Sequence, residues 1–213
     1  MARIICLANS YKHGGRCIAG IEPETGAWIR PVPNTPEQAI TRSMRLINGN
    51  EPRILDIIEI PLENYGPDNG CQPENRLFKP GKWRKVGRIT AKELLDYCED
   101  DTVILHNHEE YVSPEFFTTH PKSEWRSTQL VHNTEVRFNR AYDPKNWRAW
   151  FRDGRGRTLD LPLTDPVMSD RLRNGEKVGR DCILMVSLAP PWKPEDSNQP
   201  ELCYKMVAGV VEL

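Results

Sequence analysis

Residues 3–32 of the sequence read RIICLANSYKHGGRCIAGIEPETGAWIRPV. Three short runs of apolar and β-branched residues alternate in this stretch with two groups of turn-forming residues, one around Gly14 and Gly15 and one at residues 22–26. Runs of this length, bounded by turn residues, are typical of β-strands and are too short for stable helices. The stretch therefore predicts three consecutive antiparallel strands joined by tight turns.

The rest of the first half is expected to add two strands, one of them brief, and two short helices. Strand character returns at residues 53–62, and residues 37–46 favour a short helix. Thr90 and Glu93 have the spacing of a capping box, which predicts a helix over residues 91–97. Connectors are expected at residues 64–75 and 113–127, and a brief strand at 103–105.

The second half repeats this order of elements. Residues 147–152 and 157–161 flank the segment DGRG and predict a β-hairpin. An Asp or Thr cap, Pro166 in the first turn and Gly175 after the end predict a helix over residues 164–174. Further strands are expected at residues 129–139, 182–188 and 204–213.

Strands, one helix and more strands, occurring twice, predict a mainly β protein with short helices. We expect two small OB-like β-barrels in tandem, because this order is typical of small Greek-key barrels. The first would span residues 1–120, with a helical insertion, and the second residues 121–213. A single larger β-sandwich or an α+β domain is the alternative.

Composition excludes several classes of protein. The 213 residues carry a net charge of −1 and are 38% hydrophobic, so the chain should fold but is not a strongly basic nucleic-acid binder. Its closest two cysteines are 11 positions apart, so no zinc-ligand pair is present, and no metal or cofactor is expected. The absence of a signal sequence or long apolar run predicts a cytoplasmic protein without a membrane span.

The turn at residues 11–16, YKHGGR, is the first candidate binding site. Its glycines would let backbone N–H groups approach a phosphate, and Lys12, His13 and Arg16 would supply positive charge. The alternative is that the two glycines only supply the backbone conformation of a hairpin turn.

Trp28 and Arg30 are the second candidate, since alternation along a strand puts both side chains on one face. Such a face could stack a base and hold its phosphate. The alternative is that Trp28 fills the core of the first half and Arg30 covers its end.

Two further segments combine cations with aromatic rings. The first is the basic block at residues 76–88, with Lys82, Trp83 and Arg84 at its centre. The second is the hairpin, where alternation puts Arg148, Trp150 and Arg152 on the face opposite Phe151. A solvated surface, paired with the acidic residues that follow the basic block, would explain the first without a ligand. Protection of an exposed strand edge would explain the arginines of the second.

The segments CLANS, GRCIAG and WIRPV, with LPLTDP at residues 161–166, resemble the dual OB-containing domain family of bacterial proteins. The resemblance covers nearly the whole chain and implies two OB-like barrels that bind nucleic acid, in defence or nucleic-acid processing systems. It implies no catalytic residues. The positions that match are Asn9, Ser10, Lys12, Gly15, Arg16, Cys17, Gly20, Trp28, Arg30, Pro31, Thr164, Asp165 and Pro166.

The leading hypothesis is therefore a module that binds single-stranded or structured DNA or RNA. A second hypothesis is a hydrolase or nucleotide-processing enzyme with His13 as acid or base. A third is a domain that senses a nucleotide or binds a protein partner. No known catalytic motif is present, so the sequence favours binding over catalysis, and it does not indicate an oligomeric state.

Overall fold

The computed structural model of the protein describes residues 1–12, 14–100, 102–143, 146–195 and 198–213. The strands in this part of the chain are β1 Ala2–Lys12, β2 Gly15–Ile21, β3 Trp28–Val32, β4 Asp56–Ile60, β5 Asn75–Leu77, β6 Arg84–Arg88, β7 Tyr111–Val112, β8 Thr128–Asn133, β9 Arg137–Arg140, β10 Trp147–Arg152, β11 Thr158–Leu163, β12 Cys182–Leu188 and β13 Cys203–Glu212. The α-helices are α1 Arg42–Arg45, α2 Ala91–Leu94, α3 Pro114–Thr119 and α4 Pro166–Arg173. None of the helices described is long and apolar enough to cross a membrane.

The strands form two sheets, which confirms the mainly β prediction. The first has the order β5-β3-β2-β1-β4-β6, and the second has the order β8-β12-β13-β11-β10-β9, with β7 beside β13. We call these two sheets, with the helices that pack on them, the N-terminal and C-terminal halves. Among the described residues neither strand order closes on itself, so both halves are open, OB-like sheets rather than closed barrels.

Local patterns predicted most elements. The β1–β2–β3 meander and the β10–β11 hairpin are antiparallel as expected, and the capping box of Thr90 and Glu93 begins α2. Helix α4 begins at Pro166, directly after the predicted N-cap residue Asp165.

Three local predictions were wrong. Residues 129–139 are not one strand, because β8 ends at Asn133 and β9 starts at Arg137 after a turn. The connector expected at residues 113–127 contains α3, which Ser113 caps. Residues 103–105 form only an isolated bridge, between Ile104 and Asn107.

Strand β1 is buried on both faces. Ile4 and Cys6 pack in the core of the N-terminal half, whereas Ile5 and Leu7 face a second cluster that also contains Ile183 of β12. Strand β12 is likewise buried along its whole length, with alternate residues in this shared cluster and in the C-terminal core. A strand covered on both sides has no polar face, which explains the continuous apolar runs in the sequence.

The two halves meet where β1 and β13 cross. Each strand has an irregularity in its ladder close to the crossing, β1 between Cys6 and Ala8 and β13 beside Ala208. The backbones are so close that a β-carbon on Gly209 would lie 2.0 Å from the carbonyl oxygen of Leu7. Since no β-carbon tolerates that distance, only glycine allows this crossing.

We expect Gly209→Ala to lower the free energy of unfolding by at least about 3 kcal/mol, because the strands must separate and lose contacts in the shared cluster. Urea denaturation measures this. The control is Gly179→Ala, whose β-carbon would approach only a flexible side chain oxygen, of Glu212, at 3.3 Å. Equal stabilities for the two variants would contradict the close crossing.

One lysine is buried in the C-terminal half. Lys205 is 1% exposed, and its ammonium group donates to the carbonyl oxygen and to the side-chain oxygen of Asn107, both at 2.8 Å. Burial lowers the pKa of Lys205 to about 7, although the nearby charges of Glu109, Asp153 and Glu110 act in the opposite direction. A neutral amine still has the two N–H groups that these hydrogen bonds need.

This burial predicts a pH dependence of stability. Below about pH 7 Lys205 is protonated both folded and unfolded, and the full penalty of its burial is present. Between about pH 7 and its ordinary pKa of 10.5 only the unfolded chain keeps the proton, so stability rises with pH. We expect wild type to gain up to about 1.4 kcal/mol per pH unit relative to Lys205→Met, measured by urea denaturation from pH 6.5 to 9.5. If the free energies of unfolding of the two proteins changed with pH in parallel, the lowered pKa of Lys205 would be refuted.

Candidate functional site

The end of β1 and the segment before α4 come together between the two halves. The backbone N–H of Tyr11 donates to the carbonyl of Thr164 at 3.0 Å. The next residue, Asp165, is 2% exposed and accepts from two backbone N–H groups at the start of α4, at 2.9 and 3.2 Å, and from the N–H of Val210 at 3.1 Å. Burial raises the pKa of Asp165 despite these hydrogen bonds. Asp165 thus holds α4 against β13.

A cleft of about 620 Å³ opens beside this junction, and we call it the arginine cleft. Its floor is largely apolar, with Ile54, Leu55, Met168 and Val210 among the residues that line it. Its polar residues come from both halves and are Asn9, Arg16, Glu51, Arg53, Arg88, Asp165, Asp170 and Arg171. Asn9, Arg16 and Asp165 were among the positions that the family resemblance matched.

Two of the four arginines are neutralised by carboxylates. Arg88 donates to Asp56 at 2.8 Å, and Arg171 pairs with Glu176 at 3.0 Å and Glu212 at 2.5 Å. By contrast, the guanidinium groups of Arg16 and Arg53 form no ion pair with any residue that the structure describes. The cleft therefore offers two cations without an ion pair, although the charge of Arg16 acts to lower the pKa values of Glu51 and Asp165 in the same cleft.

The backbone fixes the position of Arg16. Its N–H and carbonyl groups exchange hydrogen bonds with Ile40, at 3.0 and 2.8 Å, and its guanidinium lies over the ring of Tyr11, 4.3 Å from the centroid. Gly15 is required beside it, because a β-carbon there would lie 2.9 Å from the carbonyl oxygen of Ile40. Gly14, with φ of +78°, supplies the turn itself.

The carboxylates near the cleft are already engaged. Glu51 accepts two hydrogen bonds from the buried guanidinium of Arg45, at 2.5 and 2.8 Å. Asp56 accepts from Lys85 and Arg88, and these contacts hold its pKa below the usual range although burial acts to raise it. A smaller groove of about 340 Å³, lined by Asn48 and Lys85, adjoins the cleft at Arg53.

Lys12 and Arg30 line a different pocket, of about 250 Å³. Arg30 is 3% exposed, so it does not belong to an open face on which a base could stack. Its guanidinium pairs with Glu74 at 2.7 Å. It also donates to Ser127 and Ser187 of the C-terminal half, at 3.2 and 3.0 Å. Burial alone would lower the pKa of Arg30, but the charge of Glu74 and its hydrogen bond raise it. His13 lies outside the described residues.

The other predicted residues of the N-terminal half are dispersed. Trp28 shares a face with Arg30, as predicted, and lines a cleft of about 360 Å³ with Trp125. Trp83 is buried edge-on against Phe78, so its ring is not available to a base in this structure. Arg84 is exposed and pairs with Glu59 of β4 at 2.6 Å, not with the acidic residues that follow the basic block as the solvated-surface alternative expected, and Lys82 is exposed.

The hairpin face is arranged as alternation predicted. Ala149 and Phe151 are buried, while Trp150 faces outward between Arg137 of β9 and Arg152, at 5.1 and 5.8 Å from its centroid. Neither arginine has an ion pair among the residues described. Arg148 differs, because it is held by Asp160 and Glu110 at 3.0 and 3.2 Å.

The structure thus distributes the predicted residues over several sites. The arginine cleft contains Arg16, and sequence reasoning missed its second unpaired cation, Arg53, because nothing in the local pattern distinguishes that arginine. Lys12 and Arg30 lie in their own pocket, and the Trp150 face forms a third surface.

Two open β-sheets that share a core and form a cleft at their junction define a tandem OB-like module. The chain belongs to the dual OB-containing domain family, which matches residues 2–210. No curated protein matches the sequence.

Proposed function

We propose that this protein binds single-stranded nucleic acid, DNA or RNA, through the arginine cleft. The observation that carries the proposal is the apolar floor of the cleft beside two arginines, Arg16 and Arg53, that form no ion pair among the described residues. An apolar floor suits the flat face of a base, and guanidinium groups suit phosphate oxygens. Membership of a family named for OB domains agrees with this function.

A single strand fits this arrangement better than a duplex. In a duplex the faces of the bases are stacked on one another, so only phosphates and groove edges could reach the cleft, and its apolar floor would gain no contact. An unstacked nucleotide can place its base on the floor and its phosphate at the rim. All six cysteines are free thiols, which fits the reducing, cytoplasmic setting that we also propose.

We expect the double variant Arg16→Met/Arg53→Met to bind a labelled 12-nucleotide single strand on the order of 10- to 100-fold more weakly than wild type, because two phosphate contacts are lost. The salt dependence should flatten by about 0.7 in the log–log slope for each contact. Fluorescence anisotropy at several salt concentrations measures both. A matched duplex should bind more weakly than the strand.

The control for this experiment is Arg3→Met, which removes an exposed arginine of β1 that pairs with Glu24 and Glu59 outside the cleft. It should bind like wild type. The proposal fails if wild type shows no saturable, salt-sensitive binding, or if the double variant and the control are equal.

We further propose that Trp150 provides a second contact for the same strand, since its half-buried ring and the flanking guanidinium groups of Arg137 and Arg152 form an outward-facing stacking surface. Loss of one stacked base corresponds to about 1–3 kcal/mol, so Trp150→Ala should weaken binding roughly 5- to 150-fold. The control is Trp192→Ala, which removes an indole that is 56% exposed elsewhere. Similar affinities for the two variants would exclude the hairpin from the interface.

A further inference from the structure

The pocket that contains Lys12 and Arg30 carries more positive charge than the protein itself balances. Strand pairing puts Ser10, Lys12 and Cys17 on the face of the β1–β2 ladder that also carries Ala8 and Ala19, which is the face turned toward the other half. Arg16 belongs to the opposite face, because it pairs with Tyr11 in the ladder. The pocket is therefore separate from the arginine cleft.

The charges in this pocket do not cancel. Arg30 is paired with Glu74, but the ammonium group of Lys12 forms no ion pair or hydrogen bond with any residue that the structure describes. Burial lowers the pKa of Lys12, the charge of Cys17 acts to raise it, and the smaller repulsion from Arg30 lowers it further. A partly buried cation without a partner is unfavourable, so the site would gain from an anion.

Several hydrogen-bond donors in the pocket lack a good acceptor. The Nε–H of the buried Arg30 is without an acceptor among the described residues. The hydroxyl groups of Ser10 and Ser187 donate only long bonds, each 3.5 Å, to backbone carbonyls, and both could turn to a better acceptor. Together with the three N–H groups of Lys12, these donors favour a ligand that accepts hydrogen bonds from several directions.

We propose that this pocket binds a phosphate group carried as a monoester or as free phosphate, with Lys12 as its main charged contact. A phosphate has several acceptor oxygens and a negative charge, which complement the unpaired donors and the excess positive charge. Apolar walls, formed by Ala19, Met185 and Ala208, strengthen the attraction by excluding water. The volume of about 250 Å³ corresponds to that of several water molecules and accommodates such a group.

Two sources of phosphate share this chemistry. One is a free phosphate or a small phosphomonoester, and the other is the terminal phosphate of a nucleic-acid strand. Only the second rests on the proposed function, so an experiment with inorganic phosphate tests the pocket even if no nucleic acid binds.

The first experiment follows thermal unfolding of the full chain against inorganic phosphate at constant ionic strength, maintained with sodium chloride. Phosphate should raise the Tm of wild type progressively, because a ligand that binds only the folded state stabilises it. Lys12→Met should lose this response. Lys177→Met, which removes an exposed lysine outside the pocket, should keep it. Lys12→Gln provides a second variant if Lys12→Met fails to fold.

The second experiment compares matched single strands that carry either a 5′-phosphate or a 5′-hydroxyl group, by anisotropy. A preference of 10-fold or more for the phosphate, abolished in Lys12→Met while affinity for the hydroxyl strand is unchanged, identifies the strand end as the ligand. A Tm response without this preference identifies free phosphate or a small monoester.

The proposal is overturned if wild type shows neither a Tm response nor a preference for the 5′-phosphate. It is also overturned if Lys12→Met responds to phosphate as wild type does. If phosphate raises the Tm but no strand binds, the nucleic-acid function fails and the phosphate pocket stands.

Discussion

The crossing of β1 over β13 is the constraint on which the arrangement of the halves depends. Because Gly209 has no side chain, its backbone lies directly against the carbonyl of Leu7, and the apolar faces of both sheets close into one shared cluster. The same crossing brings the end of β1 to the start of α4, where Tyr11 bonds to Thr164. The shape of the clefts at the junction therefore depends on how closely the backbones of β1 and β13 approach each other.

A polar network around Arg30 of β3 fixes the same junction. Arg30, Glu74 and the hydroxyls of Ser127 and Ser187 connect β3 to the C-terminal half inside the protein. Such a network contributes little net stability relative to an apolar core, but each broken contact leaves a buried charge unpaired. It therefore favours one relative position of the halves over neighbouring ones. That position also determines the shape of the pocket beside Lys12.

Sequence patterns predicted what depends on neighbours along the chain. Alternation correctly separated Trp150 from Phe151, and the capping residues located the start of α4. The same kind of pattern, Ser113 before Pro114, could have located α3. Alternation also put Trp28 and Arg30 on one face, but a period of two does not say whether that face meets solvent or another sheet.

Contacts between distant segments were beyond prediction. The basic block after residue 76 could not be assigned to a surface, because the carboxylates that pair with Arg84 and Arg88 belong to β4, more than 20 residues earlier. Arg53 has no distinctive neighbours in sequence and becomes notable only when α4 packs beside it. Open sheets in place of closed barrels are likewise a property of strand order, which local patterns do not determine.

A net charge of −1 conceals a local excess of positive charge at the junction. The carboxylates closest to it are engaged within the protein: Glu51 by Arg45, Glu74 by Arg30, and Asp165 by backbone N–H groups. Lys12, Arg16 and Arg53 consequently form no ion pair in the described chain. Lys12 and Arg16 lie on opposite faces of the β1–β2 ladder. Since screening limits the reach of charge to about 10 Å at 0.1 M salt, a ligand responds mainly to the cations that line its own site and hardly at all to the charge of the whole chain. These cations are Arg16 and Arg53 in the arginine cleft and Lys12 in the other pocket.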